Sequence, residues 1–356
     1  MAYTNIDDPS AYFTTTLWTG AGGSPRAITN DANSGDFQPD FIWTKGRNEA
    51  YEHQLYDSSR GAGTTKGLTS NDTNAEGHYS ATYGYMSAIN SNGFTGTAGT
   101  SGQNAYFDTN AKTYVAWQWK CNGGTTSSNT VGTITSTVQA NTDAGFSIYT
   151  YTGTGAAGTV GHGLGGLPEM IILKGRNTTS DWPVYIDPQK DGTLQFPKLN
   201  GTEANIGNSP FTWDTTKFTF SSGSGYSNTS GTNYIAYAFR SIQGYSKIGS
   251  YVGNGNANGT FVYTGFKPAM VITKKISDTG NWTIYDNKRD PFNVADTVLL
   301  PNATNADQTV INFDFVSNGF KCRNSGSENA SSTTYFYMAF AENPFVTSTG
   351  IPTTAR

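Results

Sequence analysis

Leu167-Pro168-Glu169-Met170-Ile171-Ile172-Leu173-Lys174 is an aliphatic run that follows a proline and stops at a lysine. The outline recurs as Phe37-Gln38-Pro39-Asp40-Phe41-Ile42-Trp43-Thr44-Lys45 and as Phe266-Lys267-Pro268-Ala269-Met270-Val271-Ile272-Thr273-Lys274. Runs this short, bounded by Pro and Gly, suit buried β-strands. The first two continue alike, as Gly46-Arg47-Asn48 and Gly175-Arg176-Asn177, and the third departs with Lys275-Ile276-Ser277.

Other landmarks keep the same order around each run. A short strand ends at Asp57, Asp187 or Asp286, and a basic residue stands three further on: Arg60, Lys190 and Arg289. A leucine and polar turn follow at Leu68, Leu199 and Leu300. Asn92-Gly93-Phe94 and Asn318-Gly319-Phe320 mark a tight turn, with Lys217-Phe218 as a weaker middle copy. Tyr114-Val115-Ala116-Trp117-Gln118-Trp119, Tyr234-Ile235-Ala236-Tyr237-Ala238-Phe239 and Tyr335-Phe336-Tyr337-Met338-Ala339-Phe340 close each unit. Internal repetition is therefore expected, with a period near that of a small domain rather than a solenoid.

No sustained 3.6-residue period appears and strong helix formers are scarce. The expected fold is all-β: three tandem antiparallel β-sandwich repeats of jelly-roll or lectin-like type. The expected division is an N-terminal arm 1–10, repeat one at 11–121, a Gly/Ser/Thr linker at 122–142, repeat two at 143–241, repeat three at 242–345 and a C-terminal tail 346–356. The arms are candidates to lie on neighbouring subunits. Phe146–Tyr151 and Phe218–Phe220 alternate in a way that suits sheets with one wet face.

The 356 residues carry 22 basic and 26 acidic side chains, a formal charge of −4, and only 13% are charged. That is too little positive charge for a protein that neutralises phosphates, so no nucleic-acid partner is expected. No apolar run approaches the about 20 residues of a membrane helix, so no membrane insertion is expected. MAYTNIDDPS lacks the basic and apolar regions of a signal peptide, which implies folding in a cytoplasm. Cys121 and Cys322 stand apart, without a zinc-ligand spacing, and read as reduced, partly buried thiols.

Few motifs suggest chemistry. Gly153-Thr154-Gly155-Ala156-Ala157-Gly158 matches GxGxxG, but the glycine-rich stretch after it cannot supply the helix a dinucleotide site needs. It reads as a hairpin loop, like Gly20–Gly23 and Gly253–Gly259. Asp31–Asp36 lacks the sixth-position glycine of a calcium loop and reads as a polar loop. The three Asp/cation pairs read as turn caps with local ion pairs, since one active site would not need three copies. His53 stands where Trp182 and Trp282 stand in the other copies and reads as a packing residue. Glu49, Glu52, Asp72 and Glu76 are the densest acidic group, and paired carboxylates remain the only enzymatic alternative, a polysaccharide-degrading one. Asn71, Asn177, Asn200, Asn258 and Asn302 sit in Asn-x-Ser/Thr triplets that read as polar loops. Tyr79, Tyr83, Tyr85 and Tyr226 are candidates for glycan or partner contact, with rim packing as the alternative. No catalytic residue, metal ligand or cofactor is assigned.

The order Leu17-Trp18-Thr19-Gly20, Phe37–Asn48, Leu55-Tyr56-Asp57-Ser58-Ser59-Arg60-Gly61, Asn92-Gly93-Phe94 and Tyr114–Lys120 resembles a largely uncharacterised β-rich repeat domain. That domain occurs in virion structural proteins of marine tailed bacteriophages, in tail fibres and other surface proteins. The resemblance implies a structural protein on the virion exterior, assembled in the bacterial host cytoplasm. It leaves tail fibre, tail-associated protein and head decoration open. The partners it implies are other virion proteins, a homo-oligomer such as a trimer, and a host cell-surface glycan as a further candidate. It implies no enzymatic activity. A lectin-like glycan-binding module is the competing expectation.

Overall fold

The computed structural model describes residues 3–31, 37–187, 196–204, 211–221 and 225–354, without the side chain of Ile311. The protein is all-β, built from several antiparallel sheets with no closed barrel among the described residues. Its helical content there is one turn at Ser80–Tyr83 and a 3-10 turn at Pro9–Ala11.

Three large sheets are built alike. In the first, the strand Thr113–Trp119 lies between Phe13–Thr19 and Phe41–Gly46, and Gln54–Asp57 adds an edge. The second places Asn233–Phe239 between Phe146–Thr152 and Met170–Gly175, with Val184–Ile186 outside. The third places Thr334–Pro344 between Ser246–Val252 and Phe266–Lys275, with Trp282–Asp286 outside. Even the registers coincide. Trp117 pairs with Thr15 and Trp43, Tyr237 with Ile148 and Ile172, and Met338 with Ile248 and Ile272. Each proline-led aliphatic run is thus a strand beside the closing tyrosine strand.

Each large sheet shares a core with a smaller one. Ile42, Tyr56 and Ala116 pack with Met86 and Phe94; Ile171, Tyr185 and Ala236 with Phe211, Phe218 and Phe220; Val271, Tyr285 and Tyr337 with Phe313 and Phe320. The opposite faces of the three large sheets meet in one larger cluster. There Trp119, Phe239 and Phe340, the sixth residues of the three closing motifs, touch pairwise. Their ring centroids are 6.4, 5.6 and 6.1 Å apart. The three equivalent rings thus meet at one point inside a single chain. Aromatic pairs at these separations are favourable beyond the area they bury.

Two sequence expectations about strands need correction. The segment 122–142 is not a plain linker: it holds two strands, Ser127–Asn129 and Ser136–Asn141, which extend the second large sheet to six strands. Polar composition hid this, although Ser136 and Val138 turn inward in alternation. Phe146–Thr152 is a central strand buried on both faces for its first four residues, not one with a wet face. The described part of the N-terminal arm is also tied to its own chain. Ile6 joins the central cluster, the Thr4 hydroxyl donates to the Gln243 carbonyl at 2.8 Å, and Asp7 accepts from Ser348.

The glycine-rich loops, expected to be hairpins, instead join different sheets: Thr19 to Arg26, Thr152 to Gly158 and Val252 to Phe261 each cross from a large sheet to a smaller one. At Gly153 a Cβ would overlap the Thr229 carbonyl oxygen, and Gly20 and Gly253 meet the carbonyls of Thr109 and Ala330 in the same way. The candidate nucleotide motif is therefore a turn pressed against a neighbouring loop. The Gly155 N–H donates to the Asn228 carbonyl at 2.8 Å.

Candidate functional site

Two of the Asp/cation pairs, Asp57 with Arg60 and Asp286 with Arg289, lie at seams between parts of the chain. Asp57 and Arg60 have fully buried side chains, 2.5 Å apart. The Asp57 carboxylate also caps the Arg60 N–H, and its Oδ2 accepts the Tyr237 hydroxyl of the second sheet at 2.7 Å. Arg60 donates further to the Lys66 and Leu55 carbonyls and to Glu76, whose other oxygen accepts from Arg176 at 2.8 Å. Burial alone would lower the Arg60 pKa, but Asp57, Tyr237 and Glu76 outweigh it and raise it.

The third part repeats the arrangement toward the first. Arg289 and Asp286 are likewise buried, 2.6 Å apart. Asp286 accepts the Trp117 indole N–H at 3.1 Å, and the Arg289 guanidinium lies 5.5 Å from the Trp117 ring centroid. Asp307 bridges Arg289 and Arg47, at 3.0 and 2.8 Å. Trp117 and Tyr237 hold equivalent positions, as do Arg47 and Arg176. At the remaining seam the equivalent residue is Met338, which has no donor, and Ile276 stands in place of the arginine. Asp187 is buried and its N–H donates to the Glu169 carbonyl at 3.0 Å. Lys190 lies outside the described residues, and so do residues 32–36 of the polar loop weighed for calcium.

A second set of contacts joins all three seams. The Trp182 indole donates to the Thr69 carbonyl and the Trp282 indole to Lys198, both at 2.8 Å. His53, the residue at the same place, lies 3.0 Å from the Leu300 carbonyl through Nε2. Its Nδ1 accepts from Trp43, so Nε2 carries the proton, and burial holds its pKa well below the usual range. The backbone N–H groups of His53, Trp182 and Trp282 are accepted by Asn71, Asn200 and Asn302 at 3.0, 2.9 and 2.9 Å. Those three asparagines are thus occupied with the backbone. Lys174 and Lys274 each reach one carbonyl of the preceding part, Thr73 and Thr202. Burial lowers both to about 8. The first part grips the second, the second the third, and the third the first, so the chain closes on itself.

The four candidate tyrosines do not form one platform. Tyr83 is exposed on the single helical turn, whereas Tyr79, Tyr85 and Tyr226 are half-buried. Tyr79 packs edge-on to His78. Tyr226 belongs to the second part, against Phe196 and Lys198. Three of the four acidic residues are similarly engaged: Glu49 pairs with Lys112, Glu76 with two arginines, and Asp72 accepts from Thr69 and Asn74, while burial raises the pKa of Glu52. Cys121 and Cys322 are free and buried, and burial pushes the Cys322 thiol up to about 12.

One feature was missed in the sequence. Glu328, in the polar loop before the third closing strand, is 7% exposed and lines a pocket of about 200 Å³. Burial raises its pKa to about 7, and its Oε2 has no hydrogen-bond partner. A lone Glu among Asn, Ser and Gly gives no sequence signal of burial.

A family model matches residues 8–344, nearly the whole chain. The chain belongs to the family described as Domain of unknown function (DUF7483). The bounds of the DUF7483 match, 8–344, take in all three large sheets. No curated protein and no solved structure matches the chain.

Proposed function

We propose that this DUF7483 chain is three tandem antiparallel β-sandwiches locked into one ring, and that the ring is a structural component of a tailed-bacteriophage virion exterior. It works by protein–protein contact and catalyses nothing. The observation that carries the structural role is the seam chemistry. Buried Asp–Arg pairs reach across to the equivalent aromatic of the adjoining part, so the parts are held in fixed orientation. Buried charges are costly unless fully paired, and partial separation of the seams would leave them unpaired. Such a body resists deformation, as a particle component must. The marine-phage resemblance of the Phe37–Asn48 and Tyr114–Lys120 strings supports the location. A homo-oligomer, such as a trimer, fits a body presented repeatedly on a symmetric particle.

Quantitative mass spectrometry of purified, salt-washed particles tests this reading. A copy number close to that of the major capsid protein assigns the chain to head decoration. A far smaller number assigns it to the tail. Absence from the particles overturns the proposal.

A further inference from the structure

The three small sheets carry equivalent edge strands, Arg26–Thr29, Gly158–Gly161 and Phe261–Tyr263. Ile28, Val160 and Val262 are buried and pair with Phe94, Phe218 and Phe320. Two residues further on, the N–H groups of Asn30, His162 and Thr264 donate to the carbonyls of Asn92, Thr216 and Asn318 at 2.9, 3.2 and 3.0 Å. Backbone groups point to alternate sides along a strand. Ala27 and Thr29, Thr159 and Gly161, and Phe261 and Tyr263 therefore aim theirs away from the sheet.

The second part covers this edge with its own chain. The Thr159 carbonyl accepts from the Ile134 N–H at 2.9 Å, and the hydroxyls of Thr133 and Thr159 accept each other's N–H, both at 2.9 Å. Ile134 joins the core of that part, and a Cβ at Gly161 would overlap the Asn129 side chain. On the third part no strand or bridge pairs with the outer side of Phe261–Tyr263 among the described residues. Tyr3 closes the edge only beyond it, by donating to the Gly265 carbonyl at 2.7 Å. Phe261 and Tyr263 are 47% and 53% exposed, where the first part has Ala27 and Thr29. Val252 is exposed beside them, its carbonyl accepting from the Thr260 hydroxyl. An open strand edge with exposed apolar side chains is a template for another chain. Main-chain bonds supply the affinity of such strand addition, and alternate side chains its specificity.

The partner follows from the strand's complementarity to itself. A twofold axis at Val262 sets Phe261 opposite Tyr263 of the second copy, and Tyr263 opposite Phe261 of the second copy. The outward N–H and C=O groups of both residues then bond across the seam, and an aromatic faces an aromatic in each cross-strand pair. The strand carries no charge that would repel its twin. We propose that a second copy of this chain adds to the edge strand Phe261–Tyr263, joining two four-stranded sheets into one of eight. The second copy does for the third part what residues 129–134 do for the second. Such a contact is isologous and closes as a dimer. It concerns copies of the chain alone and holds wherever the protein resides.

Sedimentation velocity of the full-length protein over a wide concentration range tests this. A reversible monomer–dimer equilibrium is expected. Phe261→Pro removes an N–H that the chain's own sheet does not use, and proline is tolerated at such an edge position. This variant should keep the parent's circular dichroism spectrum while the dimer dissociation constant rises at least tenfold. Phe261→Ala combined with Tyr263→Thr installs the side chains of the first part, and should weaken the dimer while leaving the monomer folded. This double variant decides the matter if the proline variant does not fold. A chain that stays monomeric throughout, or that assembles as a trimer, overturns the proposal. So does a dimer that a folded variant leaves at full strength. None of these outcomes alters the copy-number test of the proposed function.

Discussion

Asp57 and Arg60 are buried together with no exposed side-chain surface, so removing either leaves the other as an unpaired interior charge. Arg60→Met is expected to cost about 3–5 kcal/mol, read from urea unfolding. Tyr237→Phe removes only the hydroxyl donated to Asp57 and should cost about 1.5–3 kcal/mol, the range for a hydrogen bond to a charged group. Met338 offers no such donor, so its seam holds no hydrogen bond of this kind to lose. Glu328 sets a pH dependence of opposite sign to that of a paired carboxylate. Its pKa is about 7 in the folded chain against 4.5 unfolded, because burial outweighs the Thr283 hydroxyl and Lys275. Tyr251, Tyr285, Tyr335 and Cys322 also face it, and each is held toward its neutral form by burial. Between those two pKa values the unfolded chain has released the proton and the folded chain keeps it. The stability linked to Glu328 is thus complete below pH 4.5 and is lost as pH rises to 7, by about 3 kcal/mol. Glu328→Gln should remove that slope. His53 and His162, both lowered by burial, tilt the curve the other way below neutrality. The test is therefore the difference between variant and parent from pH 5 to 8, and a flat difference contradicts the assignment.

At the scale of elements, the proline-led strands and closing tyrosine strands were legible because their landmarks are apolar and repeat in order. Their common register explains why the sequence strings align. The Gly153 stretch was legible as a glycine-rich loop, but it crosses between two sheets and is not a hairpin. Gly153→Ala forces a Cβ onto the Thr229 carbonyl and should cost about 1–3 kcal/mol in thermal or urea unfolding. A variant as stable as the parent would mean that the two loops are not in close contact. The strands at Ser127–Asn129 and Ser136–Asn141 were not legible, because Ser, Thr and Asn are as common in loops as at a polar sheet edge. Phe146–Thr152 misled for a related reason. Alternating Phe, Ile and Tyr with Ser and Thr looks half-wet, yet Ser147 is buried with the rest. Glu328 could be found only by comparing it with Phe107, and that requires knowing that their carbonyls accept from the equivalent Tyr251 and Trp18.

For the whole molecule, the repeats were readable but their closure was not. Nothing in a strand buried on both faces says which partner covers the second face. Here the partners are the other two large sheets, with Trp119, Phe239 and Phe340 at their meeting point. Trp119→Ala should cost about 3–5 kcal/mol and weaken all three parts together, since each loses a shared contact. The seams make the same demand. Freeing the second part would expose Tyr237, Trp182 and Arg176 and break the contacts they make to the first. The account therefore stands most directly on whether the chain unfolds as one body. Scanning calorimetry of the full-length protein should give a single transition with equal calorimetric and van't Hoff enthalpies. Two or three resolved transitions would show that the parts melt independently, and would contradict the closed ring on which the structural role rests.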